Sequence, residues 1–330
     1  MRAAVYEANG PAAETLRVVN LPDPLPASGE VLVRVHASGV NPSDVKKRAG
    51  IPLQFPRIVP HSDGAGVIEA VGAGVERRRV GERVWLWNAQ WNRALGTAAE
   101  LIALPEAQAV SLPDDISFEE GATFGIPLQT ACAVLLPFEE LQGAWVLVQG
   151  GTGAVGRYAI QIAKRFGARV IATVGSKEKA ALALAAGADQ VINYRAEEVA
   201  KRVREMTSGA GACGAGVDRI VEVEFGQNVE TDLAALRASN GSVAIYGSAA
   251  VAQARFEVLR LMRANVTLRF VLVYDLLPRD REQVLDAIAR HGPSLQRHVA
   301  ERYPLAEIAR AHEAQESGRV VGNIVVLPGA

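Results

Sequence analysis

The chain has 330 residues, about twice the ~150-residue span of an ordinary domain, so two domains are the first expectation. Its 35 basic and 36 acidic side chains leave a net charge of -1, which offers no field for nucleic acid or an anionic membrane surface. Two cysteines, Cys132 and Cys213, make no disulfide framework, and no run of about 18 apolar residues exists to span a bilayer. A reducing, cytoplasmic setting is expected, with MRAAVYEANG read as a first strand rather than a signal peptide.

The first third is β-rich. Val31, Val33 and Val35 alternate with Leu32, Arg34 and His36, the period of a half-buried strand. Further short strands are expected at 67–71 and 84–87. Glycines 64, 66, 72, 74 and 81 punctuate them, as in a partly closed barrel or sandwich. The pattern changes near residue 120. A helix is expected over 121–135, then strand 144–149, helix 154–166, strand 169–174, helix 179–186, strand 190–193 and helix 197–206. Strands at 219–223, 242–246 and 266–274 complete six, which with their helices make a doubly wound parallel sheet. The closing apolar run 324–327 is expected to pair back with the N-terminal domain.

The strongest local signal is VLVQGGTGAVGRYAIQIAKRFGARVIAT. Gly151, Gly153 and Gly156 satisfy G-x-G-x-x-G between an apolar strand and a helix whose Val155, Ala159, Ile162, Ala163 and Phe166 share one face. Glycines there allow a tight turn, and the helix N-terminus favours the charge of a pyrophosphate. A site for NAD would place a carboxylate at the end of the next strand, to bind ribose hydroxyls. Here the strand ends Thr173, Val174, Gly175, Ser176, with no acid before Glu178. Lys177, Lys179, the Ser176 hydroxyl and Tyr194 suit a 2′-phosphate instead, so NADPH is the expected cofactor.

GVNPSDVKKRAG, PHSDGAGVIEAVGAGV, GERVW, EEGATFGIPLQTA, QGGTGAVG, GADQVINY and AHEAQESGRVVGNIVV, in that order, run through essentially the whole chain. The series resembles the zeta-crystallin-like NADPH:quinone oxidoreductases of the medium-chain dehydrogenase/reductase superfamily. The resemblance implies a GroES-like catalytic domain over 1–122, completed by 276–330, and a Rossmann domain over 123–275. It assigns Thr152, Gly153, Ala154, Val155 and Gly156 to the pyrophosphate turn. It assigns Gly175, Ser176, Lys179 and Tyr194 to the adenosine 2′-phosphate. Asn228, Gly247 and Ser248 would lie beside the nicotinamide ribose, and backbone at Phe270, Val271 and Leu272 would reach the carboxamide. Asn41, Lys46, Thr130 and Asn323 would border the nicotinamide. Asn41 would orient an acceptor oxygen and Lys46 would stabilise negative charge. Lys46 stands where members of this group often carry Tyr, which bears on the identity of the acceptor.

Zinc alcohol dehydrogenases of the same superfamily need three protein ligands and an open position. By the resemblance those positions are Asn41, His61 (followed by Ser62 in place of Glu) and Ile126, a set that does not hold zinc; no metal is expected. Two cysteines also exclude a four-cysteine structural lobe. Without a Lewis acid, acceptors that delocalise incoming electrons suit the site: quinones or related conjugated carbonyls. Two alternatives stand beside this reading, a 2-alkenal/enone double-bond reductase and an NADPH-binding, crystallin-like structural or regulatory protein with little turnover. Trp85 is expected in the barrel core, with Trp87 and Trp91 open between core and substrate pocket. The long apolar edge 266–274 and the resemblance suggest a homodimer, with tetramers left open.

Overall fold

Val31, Val33 and Val35 point to one face of an eleven-residue strand and are buried there, while Arg34 and His36 on the other face reach solvent. The computed structural model that carries this strand describes residues 1–136, 141–208, 214–248, 251 and 253–330; Cys213 lies outside them. Two units divide the chain: Met1–Ile126 with Arg297–Ala330, and Pro127–Gln296.

The first unit opens with β1 (Arg2–Val5), α1 (Ala12–Thr15) and β2 (Arg17–Asn20), the two strands antiparallel. β3 (Glu30–Val40), α2 (Pro42–Gly50), β4 (Asp63–Val71), β5 (Arg83–Leu86), β6 (Leu101–Pro105), β7 (Ala109–Ser111) and α3 (Phe118–Gly121) follow. The second unit holds α4 (Gln129–Leu135), β8 (Trp145–Val148), α5 (Ala154–Arg165), β9 (Arg169–Val174), α6 (Lys177–Ala185), β10 (Gln190–Asn193) and α7 (Val199–Thr207). It continues through β11 (Arg219–Glu222), α8 (Phe225–Ala235), β12 (Ser242–Ile245), α9 (Val258–Arg263), β13 (Thr267–Phe270) and α10 (Pro278–His291). The chain then rejoins the first unit with β14 (Val299–Pro304), α11 (Ile308–Glu316) and β15 (Asn323–Leu327).

In the first unit one sheet runs β14-β15-β3-β4-β5-β7, with β6 paired to β3. β15 lies antiparallel to β3, so the C-terminal run does return to the N-terminal sheet. Buried Arg48 on α2 donates to Gly10 O and to Glu316 on α11, tying three segments of this unit together. In the second unit six parallel strands run β10-β9-β8-β11-β12-β13, and strand order reverses between β8 and β11. Such a reversal opens a crevice at the carboxyl ends of the strands, where dinucleotides bind. Leu147, Ile171, Ile220 and Val243 form the centre of this sheet's core. Cys132 is buried on α4. No helix among the described residues is long and apolar enough to cross a membrane.

Three expectations change. The helix expected over 121–135 is broken: Gly125 leaves helical geometry (φ -60°, ψ -111°) and Pro127 follows, so α4 begins only at Gln129. The strand expected over 266–274 is four residues long, because its sole neighbour in the sheet, β12, offers only Ser242–Ile245 to pair with. Beyond it Val273–Asp275 coil into a 3₁₀ turn whose Val273 carbonyl accepts from Arg281. Finally, the units meet at 126/127 and 296/297 rather than at 122/123 and 275/276. Residues 276–296 go with the second unit because α10 packs on α4, where Arg281 also donates to Gln129.

Leu147→Ala leaves a cavity at the middle of the parallel sheet, and urea unfolding should show a loss of about 2–5 kcal/mol.

Candidate active site

The turn between β8 and α5 is shaped by backbone contact. Gly150 sits at φ +66°, open to glycine at no steric cost. A Cβ on Gly156 would lie 2.4 Å from the Gly150 carbonyl oxygen, so only glycine lets the helix start this close to the turn. Gly153 is the N-cap and supplies no side-chain bond, which leaves the first N–H groups of α5, at Ala154, Val155 and Gly156, aimed outward beside Thr152. That is an anion cradle. Thr173 at the end of β9 braces it: its Oγ1 accepts from Gly150 N–H (2.9 Å) and donates to Gln149 Oε1 (2.8 Å).

Just past the end of β9, Tyr194 and Arg195 come up beside Gly175. A Cβ on Gly175 would lie 3.0 Å from the Tyr194 hydroxyl and 3.4 Å from Arg195 Nε. Ser176 caps α6, accepting from Lys179 N–H (3.3 Å), so its hydroxyl already serves the helix. Arg195, stacked over Tyr194, is a cation that sequence reasoning missed; its place directly after Tyr194 was the available signal.

The other predicted contacts of this unit gather at the ends of β12 and β13. A cavity of about 480 Å³ is lined by Gly247, Ser248, Phe270, Val271 and Leu272, with Phe225 at its floor. Ser248 Oγ accepts from Gly226 N–H (2.9 Å) and donates to Val251 O (2.5 Å). Asn228 on α8 donates from Nδ2 to Glu222 Oε1 (3.1 Å). Thr130 is buried on α4.

In the first unit Asn41 is the N-cap of α2. Its side chain accepts from Asp44 N–H, while Asp44 Oδ2 accepts from Asn41 N–H (2.8 Å). Asn41 Nδ2 donates to Asp63 Oδ2, and Ile126 N–H donates to the same oxygen, both at 2.8 Å. Burial, with the charge of Asp44 adding to it, holds the Asp63 carboxyl well above the usual range; Asp44, also buried, is pushed up to about 6. Asp63 is therefore the residue that joins the Asn41 and Ile126 positions, and His61 is not. His61 adopts φ +77° and turns its ring away.

The bonds around His61 settle its tautomer. Thr97 Oγ1 donates to Asp63 O (2.5 Å), so Ser38 Oγ donates to Thr97 and accepts from His61 Nδ1–H, each at 2.8 Å. His61 Nε2 then accepts from His312 Nε2–H at 2.9 Å. Both rings are fully buried, which pushes His61 well down and His312 to about 3.

Lys46 is exposed on α2, whereas its neighbour Lys47 is the half-buried one, donating to Gln90 Oε1 (2.8 Å) and lying over Trp91. Burial lowers the Lys47 ammonium. Asn323 begins β15, one step beyond the Ile324–Val40 pair, and donates to His298 O from its backbone (3.0 Å) and side chain (3.2 Å). Trp85 packs edge-on against Phe124 in the core, and Trp87 donates to Ala107 O. Among the described residues no group of three or more His, Cys, Asp or Glu is placed to hold a metal.

Residues 154–290 match the family described as zinc-binding dehydrogenase, and residues 27–114 match the alcohol dehydrogenase GroES-like domain. The chain is 32% identical to the quinone oxidoreductase of Rattus norvegicus over 336 residues, covering 99% of this chain and 98% of that protein. Among solved structures it is similar to an NAD-dependent alcohol dehydrogenase, at 31% identity and a TM-score of 0.87 over 99% of both chains. It is also similar to the Escherichia coli quinone oxidoreductase complexed with NADPH, at 28% identity and a TM-score of 0.86, over 99% of this chain and 100% of that one.

The histidine pair carries a pH signature. Unfolded, each ring takes up a proton as pH falls through about 6.5, while in the fold His312 refuses one until about pH 3. Stability should therefore fall with acidification below about pH 6.5, by up to roughly 1.4 kcal/mol per pH unit for each histidine. Urea titrations from pH 7 to pH 4 should show a shallower slope for His312→Gln, where only one of the two rings remains.

Proposed function

We propose that this chain, which belongs to the quinone oxidoreductase-like medium-chain dehydrogenases/reductases, passes hydride or electrons from NADPH to quinones or related conjugated carbonyls without a catalytic zinc. It is an oxidoreductase built from a GroES-like domain and a Rossmann sheet. The choice of NADPH over NADH rests on the end of β9: the strand itself ends without a carboxylate, the first acid, Glu178, is hydrogen-bonded to the Ser176 side chain, and Tyr194 and Arg195 lie beside Gly175. A 2′-phosphate would meet the Arg195 guanidinium there, while the ribose diol of NADH would lack the carboxylate that an NAD site carries at the end of β9 itself.

NADPH, when bound, supplies a hydride from its reduced nicotinamide. The residues of the chain do the rest. Thr152 and the N–H groups of Ala154, Val155 and Gly156 would hold the pyrophosphate, with Gly153 closing the turn through its own N–H on Gly150 O. Asn228, Gly247 and Ser248 would hold the ribose, the backbone at Phe270, Val271 and Leu272 the carboxamide, and Thr130 and Asn323 would border the ring. Asn41, its amide fixed by Asp44 and Asp63, would orient an acceptor oxygen. Lys46 would stabilise the negative charge that hydride arrival creates.

The donor set supports a zinc-free reaction. Asn41 and Ile126 converge on one carboxylate, and both ring nitrogens of His61 are bound to Ser38 and His312. Three ligands for tetrahedral zinc do not assemble from these groups.

A homodimer would cover the outer edge of the six-stranded sheet. There Phe270 and Leu272 are exposed, and α9 presents Val258, Leu259 and Met262 to solvent with no residue of its own buried. Sedimentation should give a dimer that Met262→Glu weakens; a wild-type monomer at micromolar concentration would remove this part.

Lys179→Glu should raise the Kd for NADPH by about tenfold or more while leaving NADH nearly unchanged, as read by calorimetry. An acceptor panel of benzoquinone, phenanthrenequinone and 2-alkenals, run with both cofactors, should favour quinones with NADPH. Preference for the alkenals would shift the reading to double-bond reduction, and tight NADPH binding with no turnover would make the chain a binder. Stoichiometric zinc by elemental analysis would overturn the metal-free mechanism.

A further inference from the structure

Beneath the glycine turn runs a hydrogen-bond chain that ends in two acids. Thr173 fixes the amide of Gln149 with its oxygen toward the turn, so Gln149 Nε2 must point the other way, and it donates to Asp232 Oδ1 (2.9 Å). From the opposite side Asn228 Nδ2 donates to Glu222 Oε1 (3.1 Å), and Glu224 N–H donates to the same oxygen. Glu222 and Asp232 are fully buried and hydrogen-bonded to each other. Their remaining oxygens, Glu222 Oε2 and Asp232 Oδ2, receive no donor from any other described group. Carboxylate oxygens only accept, so two neighbouring acids that receive no other donor on these oxygens in a dry interior need one hydrogen between them.

We infer that Glu222 and Asp232 share a single proton and act as a positioning pair, holding the glycine turn through Gln149 and Thr173 and the amide of Asn228 directly, so that affinity for the nucleotide depends on that proton. The inference rests on the reading that NADPH lies on this turn. With its Nδ2 held by Glu222, Asn228 presents its carbonyl oxygen, which suits a donating ribose hydroxyl.

Among the described residues no cation is set against the pair. β11 brings Glu222 with Glu224 just after it, α8 brings Asp232, half-buried Tyr246 follows β12, and neutral Gln149 and Thr173 come from just after β8 and from β9. Burial first, and the neighbouring acid second, holds the Asp232 carboxyl well above its usual range; burial also raises Glu222. Loss of the shared proton would put two like charges side by side and push apart the supports of the turn and of Asn228.

Calorimetric Kd values for NADPH, measured on the intact chain between about pH 6 and about pH 10, test this. For wild type the Kd should be flat at the lower end and then rise, by up to about tenfold per pH unit once the proton is lost. Asp232→Asn replaces that proton with a permanent N–H and still accepts from Gln149. It should match wild type at low pH and stay flat above, with a thermal midpoint close to wild type. Glu222→Gln supplies the hydrogen from the other side and should flatten the curve likewise, while Asp232→Leu should bind more weakly at every pH. A flat wild-type curve, or an alkaline rise that both amide variants retain, overturns the shared-proton role while leaving NADPH binding intact. Wild type that binds no NADPH at any pH removes the cofactor reading itself, and this inference with it.

Discussion

The contact between the Gly150 carbonyl and the Cα of Gly156 is the constraint on which the nucleotide half of this protein depends. It brings the first turn of α5 against the end of β8, so that the free N–H groups of the helix open at the point where strand order reverses. Everything placed around it follows from the parallel sheet. β9 ends beside the turn and delivers Thr173 to brace it, with Gly175 just beyond beside Tyr194. β11 and β12 end on its other side, with Asn228, Gly247 and Ser248. A side chain at 156 would displace all of these together, because the sheet fixes their spacing.

Much of this was legible from residue spacing. A strand, three glycines and a helix with one apolar face specify a βα turn of known geometry, and the missing acid after Val174 is visible in the sequence itself. The valine alternation at 31, 33 and 35 likewise named the buried face of β3. Other features depend on partners that spacing does not reveal. The run 266–274 is apolar enough for a long strand, yet an edge strand extends only as far as its single neighbour lets it pair. Pro127 was in view, but the loss of helix before it depended on Gly125 leaving helical geometry. The position of the boundary near 296 reflects the packing of α10 on α4, a contact between segments far apart in sequence.

The same limit applies to the side chains of the first unit. Adjacent residues on a helix point about 100° apart, so Lys46 and Lys47 face different surroundings although either could be named from the sequence. His61 looked like a surviving metal position because of its type. Its left-handed backbone sends the ring to His312, and the carboxylate two residues on takes the place between Asn41 and Ile126. The directions of the hydrogen bonds from Thr97 through Ser38 to His61 come from one fixed donor and could be worked out only with the atoms in place. The Gln149–Asp232–Glu222 chain was silent for a related reason: its three members come from the turn after β8, from α8 and from β11, and none belongs to a motif.

Cys132 adds a consequence for the durability of such a molecule. Quinones and enones are electrophiles that add to thiolates. Burial on α4 closes off the sulfur and pushes its pKa up to about 12, so almost none is ionised in neutral solution. Under the acceptor class proposed for this chain, that sulfur is spared arylation, and incubation with a quinone would leave Cys132 unmodified.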